Sequence, residues 1–236
     1  MESAVQINND AKIDVLRLGR LQTPVFVVDD VMKNPENLFE AAQESDFKSE
    51  PNDYYPGVRA PISRTYIQTI CEHFFEHWRE TFSLRQSEKF EFILSAFSMT
   101  TIPEKQLKPI QMLPHFDTEE DNQIAIVHYL CDDHHGGTGF YRHKTTSIER
   151  VVKANLSEYG RHLKQEAMAA KLHLDRKYVG QEHPMFTSIG SVAARFNRLI
   201  AYPSNLLHSG LIKPGIDLSS NPNEGRLTTS SFVRFV

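Results

Sequence analysis

The N-terminal part of the chain shows one strand-like run followed by two segments with helical features. A β-branched apolar run at 23–30 is typical of a strand. Asn34 followed by Pro35 predicts the start of a helix that runs to about residue 45. Apolar residues then recur at helical spacing over 66–82, which predicts a second helix.

Beyond this point the pattern becomes that of short strands separated by turns. Residues 122–130 alternate between two sets of side chains, as expected for a strand with two different faces. A Gly-Gly turn at 136–137 opens another strand, and His115 ends a further short one. The remaining strands are predicted at 90–101, 191–196, 199–202, 207–212 and 226–236. This series predicts a mainly β protein with flanking helices, namely a jelly roll or double-stranded β-helix.

Four segments depart from the pattern. Residues 1–22 are polar and are expected to be peripheral, whereas 50–64 and 214–225 contain Pro and Gly and are expected to be loops. The segment 146–178 is rich in Ala, Leu, Lys and Glu, which favours a helical insertion that caps the mouth of a barrel. The length fits a single domain over 1–236.

Composition excludes several classes of partner. The chain has 26 Lys and Arg against 30 Asp and Glu, a net charge of −4, which gives no bulk attraction to nucleic acid or anionic membranes. No apolar run approaches the roughly 20 residues needed to span a bilayer. Cys71 and Cys131 form no disulfide framework, and the N-terminus lacks the basic and apolar regions of a signal peptide. We therefore expect a cytoplasmic protein.

Three side chains of metal-ligand type stand in a suggestive order. His115 and Asp117 are two positions apart, so in a strand both point to the same face and can reach one metal ion. His208 lies between leucines in a later strand, where a buried imidazole needs a partner. Together they match a 2-His-1-carboxylate facial triad for Fe(II). The alternatives are a salt-bridged His-Asp pair and a hydrogen-bonded core histidine.

Arg226 and Thr228 share one face of the last predicted strand. A guanidinium is a bidentate partner for a carboxylate, and a hydroxyl adds one more hydrogen bond. The alternative is a surface arginine that pairs with a neighbouring acid such as Glu224.

The chain resembles the Fe(II)- and 2-oxoglutarate-dependent oxygenases, especially the prolyl-hydroxylase-like branch, at His115, Asp117, His208, Arg226 and Thr228. The Gly136-Gly137 turn is similar to one that these enzymes carry between the HxD motif and the second histidine. Residues 23–42 resemble the strand and helix with which that branch opens. The gap between His208 and Arg226 is longer than is common in the superfamily, so 214–225 is expected to be an insertion.

The resemblance implies an enzyme with two cofactors. The triad would bind Fe(II), and Arg226 with Thr228 would bind the distal carboxylate of 2-oxoglutarate. Tyr129 is expected within reach of 2-oxoglutarate or substrate. Such an enzyme hydroxylates a small-molecule or peptidyl substrate while it converts 2-oxoglutarate to succinate. Asp117 argues against the halogenating variant, which lacks this carboxylate.

Other functions are compatible with parts of the pattern. A cupin-like jelly roll can bind a ligand or a partner without chemistry, and a zinc hydrolase can use the same triad without 2-oxoglutarate. A helix with His73 and His77 fits the HxxEH zinc-peptidase pattern but offers no third ligand. The substrate is not specified by any motif, although the loop 52–60, which includes Arg59, has a composition suited to a cavity entrance. Nothing in the sequence indicates the oligomeric state.

Overall fold

The fold consists of two antiparallel sheets that face each other, in a computed structural model that describes residues 5–49 and 54–236. The strands are β1 (Lys12–Leu18), β2 (Thr23–Asp29), β3 (Gly57–Pro61), β4 (Phe90–Thr100), β5 (Gln123–Tyr129), β6 (Thr138–His143), β7 (Phe186–Val192), β8 (Arg198–Pro203), β9 (His208–Gly210) and β10 (Leu227–Phe235). The α-helices are α1 (Pro35–Gln43), α2 (Arg64–Thr81) and α3 (Leu156–Ala169). Short 3₁₀ turns occupy Glu104–Gln106, Pro109–Met112 and Leu172–Leu174.

Strands from β4 onward pass back and forth between the two sheets. The large sheet has the order β1-β2-β8-β5-β10-β4-β3, and the small sheet has the order β7-β6-β9. His115 extends the small sheet because it pairs with His208 in β9. The alternation of strands between two facing sheets is that of a double-stranded β-helix, so the predicted fold class is confirmed.

The large sheet separates two hydrophobic cores, because successive side chains along a strand point to opposite faces. In β2, Phe26 and Val28 pack toward the helices, whereas Val25 and Val27 point between the sheets. In β5, Ile124 and Ile126 join the helical side and Ala125 the other. This period of two is the alternation predicted for 122–130. Helices α1 and α2 cover the outer face of the large sheet through residues such as Leu38, Ile67, Phe74 and Trp78.

Two segments expected to be irregular contribute edge strands. Residues 12–18, expected to be peripheral, pair with β2 along their whole length and form one edge of the large sheet. Within the expected loop 50–64, residues 57–61 pair with β4 and form the other edge. Both strands are short and flanked by polar residues, so their apolar alternation is too brief to predict them. Residues 1–4 and 50–53 lie outside the described ranges.

Helix α3, within the segment 146–178, covers a different surface from the one expected, although Tyr178 at the end of the segment lines the cavity between the sheets. Only α3 and one 3₁₀ turn within it are helical. Tyr159 of α3 packs in a cluster with Tyr141, Phe186 and Leu207 of the small sheet. Phe140, next to Tyr141, belongs instead to the core between the sheets. The helix therefore lies on the outer face of the small sheet and does not cap the mouth of the barrel.

Two further boundaries differ from expectation. The strand predicted at 191–196 is β7, which runs over Phe186–Val192 because its polar residues conceal the alternation. The predicted strand 207–212 is reduced to the three residues of β9. Within the described ranges, no helix is both long and apolar enough to cross a membrane.

Candidate metal centre and anion site

Backbone pairing between distant parts of the chain brings the three predicted ligands together. His115 and His208 exchange two backbone hydrogen bonds of 2.9 and 2.8 Å. The Asp117 N–H donates to the Ser204 carbonyl at 2.8 Å, which fixes the carboxylate beside both rings. One ligand atom from each of the three residues lies within 4.8 Å of the others. This is close enough for all three to contact one ion at about 2.1 Å.

The two histidines present neutral nitrogens to this point. The Nδ1 of His208 lies 2.8 Å from the Leu206 carbonyl oxygen, which only accepts, so Nδ1 carries the proton and Nε2 is left as an acceptor. Burial lowers the pKa of His208 to about 4. Burial and the neighbouring His208 lower the pKa of His115 to about 4, against the opposing effect of Asp117. The 49% of the His115 side chain that is exposed faces a cavity.

The Asp117 carboxylate has fewer hydrogen-bond donors around it than its two oxygens could accept from. Its Oδ1 and Oδ2 lie 3.8 Å from the Nε2 atoms of His115 and His208, respectively. Oδ2 is buried and accepts no hydrogen bond from any described residue. Burial raises the Asp117 pKa to about 6, although His115 and Arg59 act in the opposite direction. Because a buried carboxylate oxygen without a donor is costly, the donor set fits a bound cation.

The triad opens into a cavity of about 380 Å³ between the sheets. Small and medium side chains of the large sheet form its floor and leave the space open, among them Thr228, Ser230, Ala125 and Val127. The apolar wall near the triad includes Leu113 and Phe116.

Arg226 supplies a positive charge to the same cavity. The residue is only 5% exposed, and no carboxylate in the described part of the chain forms an ion pair with it. Its Nε donates to the Gly136 carbonyl and its Nη2 to the Gly137 carbonyl at 3.1 Å. The Tyr129 ring lies 5.5 Å from the guanidinium carbon. A buried guanidinium beside a cavity is suited to bind an anion.

The turn that holds Arg226 requires glycine. A Cβ on Gly136 would lie 1.8 Å from the Leu211 carbonyl oxygen, and one on Gly137 would lie 2.0 Å from that of Val192. The turn is also fixed by Asp217, a fully buried residue in the loop 214–225. The Asp217 carboxylate accepts hydrogen bonds from the backbone N–H of Gly136 and of Lys213, at 3.2 and 2.7 Å, and from His135 Nδ1 at 2.9 Å.

The other predicted site residues lie around Arg226. Thr228 lines the cavity and donates to the Ser98 carbonyl at 3.4 Å. Tyr129 lies behind Arg226, outside the cavity wall, and its hydroxyl pairs with Thr138 at 2.6 Å. Tyr202, which the sequence analysis did not assign, lines the cavity, and its ring lies 4.8 Å from that of His208.

Two further residues of the site were not assigned from the sequence. Asp217 lies in a loop expected to be an insertion, where nothing distinguishes it from a surface acid. Arg59, considered only as part of an entrance loop, lies in β3 and lines the cavity with Tyr55. Asn52 and Asp53 of that loop lie outside the described residues.

The competing metal motif finds no support. The His73 ring of α2 meets the Phe74 ring edge to face, the His77 ring is tilted against it, and no third ligand joins the two histidines among the described residues. A second group of this kind, Asp132, Asp133 and His134, is exposed and carries no further sign of a site.

Comparisons with known proteins give a family and weak structural similarities. The model of the "Family of unknown function (DUF6445)" matches residues 9–233. No curated protein sequence matches the chain. Solved structures that are similar include HygX from Streptomyces hygroscopicus with nickel and 2-oxoglutarate bound, at 12% identity and a TM-score of 0.49 over 91% of this chain and 84% of that one. Another is an N-substituted L-amino acid dioxygenase from Burkholderia ambifaria AMMD, at 13% identity and a TM-score of 0.37 over 90% and 81%. The function of this chain has to be inferred from its own residues.

Proposed function

This chain belongs to the DUF6445 family of unknown function, and from that premise we propose that it is an Fe(II)- and 2-oxoglutarate-dependent oxygenase that acts on a small molecule. One observation carries the proposal. A triad with an orphaned carboxylate oxygen on Asp117 shares a cavity with the buried Arg226, whose guanidinium forms no ion pair with a carboxylate among the described residues. A cation and a dicarboxylate bound together would satisfy both groups.

In this proposal the triad holds iron through His115 Nε2, His208 Nε2 and the Asp117 carboxylate. The Leu206 carbonyl keeps the His208 ring in the tautomer that a metal requires. Bound iron and 2-oxoglutarate would supply the oxidising chemistry: one atom of dioxygen would enter the substrate as a hydroxyl group and the other would enter succinate as 2-oxoglutarate loses carbon dioxide.

The remaining residues bind and orient the co-substrate. Arg226 pairs with the distal carboxylate, and Thr228 adds a hydroxyl on the same wall. Tyr129 positions Arg226 from behind rather than contacting 2-oxoglutarate itself. Leu113 and Phe116 exclude water from the side of the cavity next to the triad, which strengthens these charge interactions. A cavity of about 380 Å³ suits a small molecule better than a polypeptide.

The test is an anaerobic titration of the metal-free protein with Fe(II) and then 2-oxoglutarate, followed by the visible charge-transfer absorption of the chelate. We expect the band in the wild type, its loss in His115→Ala and its weakening in Arg226→Ala. His134→Ala, which removes an exposed histidine outside the cavity, serves as the matched control and should keep the band.

Two other results would replace the proposal. Metal binding without any response to 2-oxoglutarate would favour a zinc hydrolase built on the same triad. Binding of neither component would favour a jelly roll that holds a ligand or partner without chemistry.

A further inference from the structure

The turn between β8 and β9 holds two of the three triad residues through its backbone. The Ser204 carbonyl accepts the Asp117 N–H at 2.8 Å, and the Leu206 carbonyl accepts from His208 Nδ1 at 2.8 Å. Asn205 stands between these two carbonyls in the chain and is fully buried. The position of Asn205 therefore affects the Asp117 carboxylate and the His208 ring at the same time.

The Asn205 side chain joins this turn to two other segments of the chain. Its Nδ2 donates at 2.9 Å to Oδ1 of Asp121, which lies in the loop that follows Asp117. Its Oδ1 accepts from Arg150 Nε at 2.7 Å, and Arg150 Nη2 donates to the same Asp121 oxygen at 2.9 Å. We call this closed set of three hydrogen bonds the Asn205 clamp. It suits an amide at position 205, because an amide offers both a donor and an acceptor.

Backbone pairing fixes the segment that carries Arg150 against the same turn. The Val151 N–H donates to the Asn205 carbonyl at 2.8 Å, and the Leu207 N–H donates to the Glu149 carbonyl at 2.9 Å. Arg150 thus reaches Asn205 and Asp121 from a backbone that is already paired with the turn. Its charge-assisted bond to Asp121 therefore holds the loop after Asp117 close to the turn.

We infer that Asn205, together with Arg150 and Asp121, is a positioning residue for the metal centre. The clamp fixes the loop after Asp117 against the turn before His208, and so sets the 3.8 Å between Asp117 Oδ2 and His208 Nε2. Groups that orient metal ligands from behind commonly contribute a factor of roughly 10–100 in metal affinity. This inference rests on the proposed function, in which the triad binds a metal ion.

The experiment titrates the metal-free protein with Co(II) alone and follows the visible absorption of the bound ion, which depends on the arrangement of its ligands. Asn205→Ala opens the clamp, and its control Asn197→Ala removes a similarly buried asparagine that bonds the Met32 backbone. Asp121→Ala opens the clamp at a side chain that is 72% exposed, so this variant keeps the fold. Its control is Glu120→Ala, which removes the neighbouring exposed acid. Urea denaturation gives the stability of each metal-free variant.

We expect both clamp variants to raise the Kd of Co(II) roughly tenfold or more and to change the absorption spectrum of the bound ion. Asn197→Ala should lose stability but keep the wild-type Kd and spectrum, and Glu120→Ala should keep all three. An unchanged Kd and spectrum in either clamp variant, or an equal change in Asn197→Ala, overturns the inference while the proposed function stands. Failure of the wild type to bind Co(II) overturns the proposed function, and the inference falls with it.

Discussion

Asp217 and Arg226 hold the same glycine turn from opposite sides. The Asp217 carboxylate accepts the Gly136 N–H at 3.2 Å, and the Arg226 guanidinium donates to the Gly136 and Gly137 carbonyls. The Arg226 N–H also donates to the Asp217 carbonyl at 3.3 Å. The loop between His208 and Arg226 is therefore part of the proposed anion site, because it carries the group that fixes the turn.

Asp217→Asn should weaken binding of 2-oxoglutarate without affecting Fe(II). The amide keeps one oxygen for the three N–H donors that the carboxylate now accepts, so the turn and Arg226 lose a fixed position. We expect a roughly tenfold rise in the Kd of 2-oxoglutarate and an unchanged Kd of Fe(II) by anaerobic titration. Asp133→Asn, at an exposed acid in the loop that precedes the Gly136–Gly137 turn, is the control. An unchanged Kd of 2-oxoglutarate in Asp217→Asn would remove this role.

Arg226→Gln should have a larger effect on the same measurement. Loss of the buried guanidinium removes the charge and the bidentate geometry together, so we expect the Kd of 2-oxoglutarate to rise on the order of a hundredfold. Arg226→Lys keeps the positive charge but not the bidentate guanidinium geometry. Its Kd for 2-oxoglutarate should therefore lie between those of the wild type and Arg226→Gln. Equal loss of Fe(II) binding in both variants would indicate a collapsed site instead of a lost anion contact.

Tyr202→Phe tests whether the hydroxyl on the cavity wall contacts bound 2-oxoglutarate. This hydroxyl donates to no described residue, although Tyr202 is only 2% exposed. We expect about a fivefold rise in the Kd of 2-oxoglutarate with an unchanged melting temperature. Tyr141→Phe, whose hydroxyl donates to the Gly180 carbonyl at 2.8 Å outside the cavity, should lose stability instead. If Tyr202→Phe instead lowered the melting temperature and left the Kd of 2-oxoglutarate unchanged, Tyr202 would have a packing role alone.

Asp117→Asn should stabilise the metal-free protein while it abolishes tight metal binding. Burial raises the Asp117 pKa to about 6, so at pH 7.5 the folded protein carries a carboxylate that it holds at a cost. Its replacement by a neutral amide should raise the free energy of unfolding by about 1–2 kcal/mol in urea denaturation with chelator present. Addition of Ni(II) should raise the melting temperature of the wild type but not of the variant. If the metal-free Asp117→Asn variant were less stable than the metal-free wild type, the proposed cost of burying the Asp117 carboxylate would be contradicted.

His128 should make stability depend on pH independently of the metal site. It is fully buried on the helical side of β5, bonded to Tyr66 and Asn197, and burial lowers its pKa to about 4. Between pH 6.5 and 4 the unfolded chain takes up a proton that the folded protein does not, so stability falls as the pH falls. When the pH is lowered from 7.5 to 5, the free energy of unfolding of His128→Gln should therefore fall by about 2 kcal/mol less than that of the wild type. His134→Gln, at an exposed histidine, should match the wild type.

The sequence was most informative where residues of metal-ligand type or alternating apolar residues lie in short strand-like segments. The His115-x-Asp117 pair and His208 were predicted to meet, and backbone pairing places them within reach of one ion. The alternation at 122–130 correctly separated the two faces of β5. The alternation in β5 could be predicted because a period of two directly fixes which side chains share a face.

Features that depend on tertiary contacts could not be predicted in the same way. Asp217 acts only because a distant turn approaches it, and Arg59 faces the cavity only because β3 joins the edge of the sheet. The amphipathic content of α3 predicted a helix but not the surface it covers. Tyr129 lies near the proposed co-substrate site, but one layer behind it.

The place of β10 has a consequence for biosynthesis. This strand is the last of the barrel along the chain, yet it lies between β4 and β5 in the large sheet and pairs with both. Until the ribosome has released it, β4 and β5 each present an unpaired edge, which is prone to association with other chains. Arg226 and Thr228 also arrive with this strand, so a nascent chain with all three proposed metal ligands still lacks the proposed anion site. In the interval between translation of His208 and release of β10, the edges of β4 and β5 are therefore open to other chains whether or not a metal ion is present.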